Sequence, residues 1–154
     1  MIYVSHELPV NDGPTTLTRA QVWDGLVMKA NNALPFVSSM TDCTVTNRIS
    51  DTVFDRDIVL RGESHSERIT LEEPKRVVFT RLSGPVLGVI ANEILGSDRD
   101  LRLRFSFALV VSSVDPDSAE EEEYAEGMKE DYVKAVESTL EAMRRMAQES
   151  SSAS

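Results

Sequence analysis

From Asp42 to Val114 the chain alternates apolar and polar side chains through six consecutive runs, with only a few turn-forming residues between one run and the next. Period-two alternation marks strands with one covered face, and connections this short join antiparallel neighbours. The runs are Cys43–Ile49, Val53–Arg61, Ser66–Glu72, Arg76–Leu82, Val86–Leu95 and Leu101–Val111. Turn signals at Ser50-Asp51, Gly62-Glu63, Pro74, Gly84-Pro85 and Gly96-Ser97 separate them, so a meander is expected. A further strand is expected at Ile2–Val10, before a loop containing Asn11, Asp12, Gly13 and Pro14. The stretch LTRAQVWDGLVMKANN then reads as helix, with Thr18 as N-cap and Ala20, Trp23, Val27 and Ala30 at helical spacing. LPFVSSM is expected to add a second short helix.

After Asp115-Pro116, Ser118 opens one long helix whose apolar stripe runs through Tyr124, Met128, Tyr132, Val136, Leu140 and Met143. The expected class is therefore α+β: a strongly curved antiparallel sheet of about seven strands, two short helices after the first strand, and a long C-terminal helix over the concave face. A helix cannot fill a curved sheet to close-packed density, so an internal cavity is expected beneath it. Residues 1–147 read as one domain and 148–154 as a flexible tail.

Alternation also sorts side chains by face. In SERITLEEPKRVVFTRL, Ile69, Leu71, Val77 and Phe79 share a face with Glu67 and Arg81. If Glu72 faces Arg76 across the Pro74 turn, Glu67 faces Arg81. Continuing through the next turns sets Arg81 opposite Val86, Phe79 opposite Gly88, Asn92 opposite Leu103 and Ile90 opposite Phe105. The inward face then holds Arg56, Glu67, Arg81 and Asn92 among aliphatic and phenylalanine side chains. Such a pair has two readings: a wet ion pair at the open rim of the sheet, or polar anchors in an apolar pocket.

A formal net charge of −10 argues against binding nucleic acid or anionic membrane surfaces. No run is long enough for a membrane span, and the first residues, MIYVSHELPVNDG, lack the regions of a secretory signal. Cytoplasmic location is the expectation. Cys43 is the only cysteine, and two histidines without ligand spacing make a metal site unexpected. No phosphate-binding or dinucleotide fingerprint is present, so no cofactor is expected.

The chain resembles the AtaL-like family, formerly a domain of unknown function, within the START/Bet v 1-like (SRPBCC) helix-grip superfamily. The segments that carry the resemblance are SHELPVN, LTRAQVWDGLVMKANNALPFV, TDCTV, SERITLEEPKRVVFTRL, ANEI and EEEYAEGMKEDYVKAVESTLEAM. The superfamily implies a hydrophobic ligand cavity and includes lipid carriers, receptors, polyketide cyclases and co-chaperones. No catalytic motif transfers, because fold does not fix function.

The expected partner is a small hydrophobic or aromatic metabolite. The candidates for chemistry are Glu67 as acid or base, Arg81 to steady negative charge on oxygen, and His6, which alternates with inward residues of the first strand. Candidates for ligand contact are Arg56, Asn92, Phe79, Ile90, Leu103, Phe105, Phe107, Met128, Tyr132 and Val136. His65 is expected in an exposed turn, and the outer strand faces are expected to be polar. An enzyme of this kind would perform a cofactor-independent cyclisation, isomerisation or dehydration. A carrier or receptor, or a protein-interaction module, remains open beside it, as does the oligomeric state.

Overall fold

The structure, a computed structural model, describes residues 1–11, 13 and 16–153, with side chains up to Glu149. Its elements are β1 (Ile2–Pro9), α1 (Arg19–Asn31), β2 (Met40–Arg48), β3 (Val53–Leu60), β4 (Glu63–Glu72), β5 (Arg76–Ser83), β6 (Val86–Leu95), β7 (Arg102–Val111) and α2 (Ala119–Ala153). The strands form one antiparallel sheet in the order β1-β7-β6-β5-β4-β3-β2. The meander from β2 to β7 is as the short turns require, and β1 completes the sheet beside β7. The curved sheet and its long C-terminal helix make this a helix-grip fold.

Thr18 opens α1 through a capping box: the Gln21 N–H donates to Thr18 Oγ1, and the Thr18 N–H donates to Gln21 Oε1 at 2.8 Å. The buried face of α1 is Val22, Trp23, Gly25, Leu26, Lys29 and Ala30, while Ala20 is exposed. Gly25 meets α2 directly, since a β-carbon there would lie 2.7 Å from Met143 Cγ. The second short helix expected from LPFVSSM is not formed. Those residues make isolated turns, such as Val37 N–H to Ala33 O, before β2 begins at Met40. Between Pro35 and that strand there is too little chain to propagate a helical nucleus. Of the expected loop, Asp12 and Pro14 lie outside the described residues. Ser118 caps α2 as expected, its Oγ accepting from the Glu121 N–H. The helix continues to Ala153, into the stretch expected as a tail; Ser154 lies outside the described residues.

The β4–β5 register matches the expectation: Glu72 faces Arg76, Ile69 faces Phe79 and Glu67 faces Arg81. The next two pairings are displaced by two residues from it. Arg81 faces Gly88, Phe79 faces Ile90, Asn92 faces Phe105 and Ile90 faces Phe107. The expected register centres the β5–β6 turn on Ser83-Gly84, whereas β5 ends at Ser83 and β6 begins at Val86, so the turn is centred one residue later, on Gly84-Pro85. An even displacement leaves every side chain on its expected face, so the inward set survives. Gly88 is held at φ +136°, and a β-carbon on it would lie 2.1 Å from Ala108 O of the next strand. No other residue fits there.

Phe54, Ile69, Val77, Phe79, Leu103, Phe105, Phe107 and Leu109 of the concave face are buried against Leu26 of α1 and Val136, Leu140 and Met143 of α2. The outer face carries ion pairs such as Arg68–Asp55 and Arg104–Glu93. It is less uniformly polar than expected: Tyr3, Leu87 and Val89 are exposed there. Among the described residues no helix is long and apolar enough to cross a membrane.

Candidate functional site

Three neighbouring strands bring Arg56, Glu67 and Arg81 into one row across the concave face. Arg56 of β3 faces Glu67 of β4, which faces Arg81 of β5. Glu67 Oε1 accepts from Arg56 Nε at 3.0 Å, and Oε2 accepts from Arg81 Nε at 2.7 Å. Glu67 is only 2% exposed, Arg56 3% and Arg81 8%, so this is an interior cluster and not a rim pair. The sequence brought Glu67 to Arg81 but left Arg56 outside the pair. Burial alone would push the Glu67 carboxyl up, but the two guanidinia outweigh it and hold it below its usual value.

Arg56 is committed twice over. Its Nη1 donates to Lys29 O at 3.0 Å and Ala30 O at 2.8 Å. A buried cation thus satisfies two carbonyls of the last turn of α1, where the helix dipole is negative. This contact also fixes α1 over the sheet.

A bulge between Ser66 and Glu67 shifts the β4–β5 ladder by one residue just beside the site. His65, two positions before Glu67, shares its face and is buried at 4% exposure, which corrects the expected exposed turn. The turn is shorter than assumed, because β4 already begins at Glu63. His65 Nδ1 lies 3.2 Å from Arg81 Nη1. Facing a permanent donor, Nδ1 acts as acceptor and the imidazole stays neutral. Burial first, then Arg81, pulls the His65 pKa down.

The residue that the sequence reading missed is Lys29. It is 6% exposed, and its Nζ donates to Asn92 Oδ1 at 2.7 Å. Nζ also lies over the rings of Phe105, 4.3 Å from the centroid, and Phe79, 5.3 Å away. Burial, followed by the Arg56 charge, lowers its pKa to about 7, with Glu67 opposing them. The signal was present, since Lys29 follows Val22 and Leu26 at the i+7 and i+3 positions of the buried face. Asn92 Nδ2, equally buried, has no hydrogen-bond partner among the described residues.

These groups border a cavity of about 580 Å³ between the sheet and α2. Of the expected residues, Arg56, Glu67, Phe79, Arg81, Ile90, Asn92, Phe105, Met128 and Tyr132 line it. Leu103, Phe107 and Val136 are buried but not in its wall, although Phe107 supports Tyr132 with ring centroids 4.1 Å apart. His6 is not brought to the cluster. It sits on β1, four strands from Glu67 in the sheet order, and is absent from the cavity wall. The mouth lies between the β3–β4 turn and the first turns of α2, where Arg61 pairs with Asp131 beside Glu63, Glu120 and Glu123. Among the described residues no group of His, Cys, Asp or Glu is placed to hold a metal ion.

Residues 4–150 match the family described as AtaL, acetylaranotin biosynthesis cluster protein L. The chain belongs to the AtaL family. A comparison with curated proteins finds no match. Among solved structures, the chain is similar to the Zhui aromatase/cyclase from Streptomyces sp. R1128, with a TM-score of 0.69 and 18% identity over 94% of each chain. It also resembles a START superfamily protein from Mycobacterium smegmatis, with a TM-score of 0.61 and 16% identity, covering 90% of this chain and 97% of that one. A third is the di-domain ARO/CYC BexL from the BE-7585A biosynthetic pathway, with a TM-score of 0.66 and 11% identity, covering 94% of this AtaL-family chain and 50% of that one. At these identities the likeness is one of fold.

Proposed function

We propose that this AtaL-family protein acts in secondary metabolism by enclosing a small, mainly hydrophobic, oxygenated metabolite in the cavity beneath α2. The observation that carries the reading is the Arg56–Glu67–Arg81 row set into the wall of that cavity. Buried ion pairs contribute little to stability over packed hydrophobes. Placed where apolar walls meet an open space, they suit the polar end of a ligand. The aromatase/cyclase named among the similar structures supports a cofactor-independent cyclisation, isomerisation or dehydration as the chemistry. Such a cavity would contribute chiefly by restricting the conformations of a reactive chain.

A second, non-catalytic reading as a carrier is favoured by one observation. Both oxygens of Glu67 are occupied by guanidinia and its pKa is lowered, which makes it a poor proton acceptor. In either reading Glu67 holds Arg81 in place, and Arg81 meets the ligand. We take residues 1–147 as the acting domain, in the cytoplasm.

Native mass spectrometry of freshly purified protein tests both readings, alongside an Ala135→Phe variant that fills the cavity from α2. The wild type should retain a low-mass compound or bind neutral aromatic probes, and the variant should lose at least about tenfold in affinity. Equal binding by the two proteins would place the ligand elsewhere and end the proposal. Turnover of a poly-β-carbonyl chain by the wild type separates the enzyme from the carrier.

A further inference from the structure

We propose that the cavity takes a ligand with an acidic hydroxyl, a phenol or the enol of a 1,3-dicarbonyl, and that Lys29 removes its proton and then pairs with the resulting oxyanion. The inference rests on the ligand-cavity reading above and adds the chemical class of the ligand and a role for Lys29.

Charge inside the cavity is unbalanced. Among the described residues buried in its wall, Arg56, Arg81 and Lys29 stand against the single carboxylate Glu67, whose two oxygens are already taken by the arginines. Two donors are left uncommitted among the described residues: Asn92 Nδ2 has no partner though Asn92 is only 1% exposed, and the second terminal nitrogen of Arg81 makes no hydrogen bond. A buried donor without an acceptor is costly. Oxygen on a ligand would satisfy it.

The groups facing Lys29 explain its chemistry. Arg56 on β3 repels its cationic form and Glu67 on β4 favours it; Phe79 on β5 and Phe105 on β7 lie beneath the amine, and Asn92 on β6 accepts its hydrogen bond. His65 of β4, Arg81 of β5 and Tyr132 of α2 line the same cavity. Donating one N–H to Asn92 leaves the neutral amine its lone pair. With its pKa brought to about 7, a large share of Lys29 is neutral at physiological pH. In the step proposed, the ligand O–H bond breaks and its electron pair stays on oxygen. The proton forms the third N–H bond of the Lys29 ammonium.

The mouth bears on the form in which the ligand enters. Glu63, Glu120, Glu123 and Asp131 surround it with Arg61, on a chain of net charge −10. Such a rim disfavours a preformed anion and admits a neutral acid. The charge is then created inside, where the cations are.

The test uses two chromophoric acids, 7-hydroxycoumarin as the phenol and 1-phenyl-1,3-butanedione as the enol, with 7-methoxycoumarin as a neutral control. Each is titrated with pH while bound to wild type and to Lys29→Met. The expected result is anion absorbance from at least one bound acid about one pH unit or more below its midpoint in solution, a tenfold shift in the equilibrium. That shift should vanish in Lys29→Met, while 7-methoxycoumarin binds both proteins and reports that the variant is folded. Whichever acid ionises identifies phenol or enol as the source. If 7-methoxycoumarin binds but both acids keep their solution midpoints, or shift equally in Lys29→Met, the role of Lys29 is wrong and the cavity reading stands. If none of the three binds the wild type, both fall.

Discussion

Glu67 shows how one side chain can be structurally indispensable without being a strong interaction. It is the common counter-ion of two buried guanidinia. Glu67→Gln keeps the shape and removes the charge, leaving both cations uncompensated. The expected loss is about 3–5 kcal/mol, a large part of a typical domain's stability, and denaturant unfolding would read it. Lys29 behaves in the opposite sense. Its folded pKa of about 7 lies below its ordinary 10.5, so the unfolded chain binds its proton more tightly. Stability therefore falls as pH drops from about 10.5 towards 7. His65, also depressed, extends the fall below its ordinary 6.5. Lys29→Met removes the upper window. The variant should be more stable than wild type by about 1 kcal/mol at pH 7, with the difference shrinking as pH rises towards 10 in thermal unfolding. A difference that grows with pH would contradict the lowered pKa.

At the scale of elements, parity proved more robust than register. The alternation in LRLRFSFALVV and VLGVIANEIL puts Phe105, Phe107, Ile90 and Asn92 inward whatever the turn between strands does. The partners themselves depend on where each turn is centred: moving the β5–β6 turn by one residue, from Ser83-Gly84 to Gly84-Pro85, displaces them by two. His65 escapes for a similar reason: the strand expected from Ser66 begins three residues earlier, at Glu63, so a side chain that shares the face of Glu67 reads as turn. Lys29 was lost for a different reason: on a helix with apolar neighbours a lysine reads as surface, and its burial depends on a partner, Asn92, some sixty residues away. Gly88 is the element-scale point of failure. Its positive φ and its contact with Ala108 O make Gly88→Ala disruptive for the pairing of β6 with β7, opposite Arg81. A cost of about 3 kcal/mol or more is expected, reported by loss of amide protection in both strands. Protection equal to wild type would show that the backbone there can relax.

For the whole molecule, the order of elements was enough to anticipate a sheet gripping a long helix, because short turns and one long amphipathic helix after the last strand leave few other arrangements. The distribution of charge was not legible. A total of −10 describes the surface and the mouth, whereas the interior cluster carries the opposite sign. Sequence counts sum over both. Only the fold separates them.

The pairing of β1 with β7 has a further consequence. Val4 sits beside Phe107, so more than a hundred residues leave the ribosome between one half of that ladder and the other. At about 5–20 residues per second, Ile2, Val4 and Leu8 spend roughly 5–20 s without their neighbour strand. Contacts this distant also slow the search for the native arrangement. Within this sheet the earliest strand is thus paired with one of the latest, and during translation it needs protection from wrong partners.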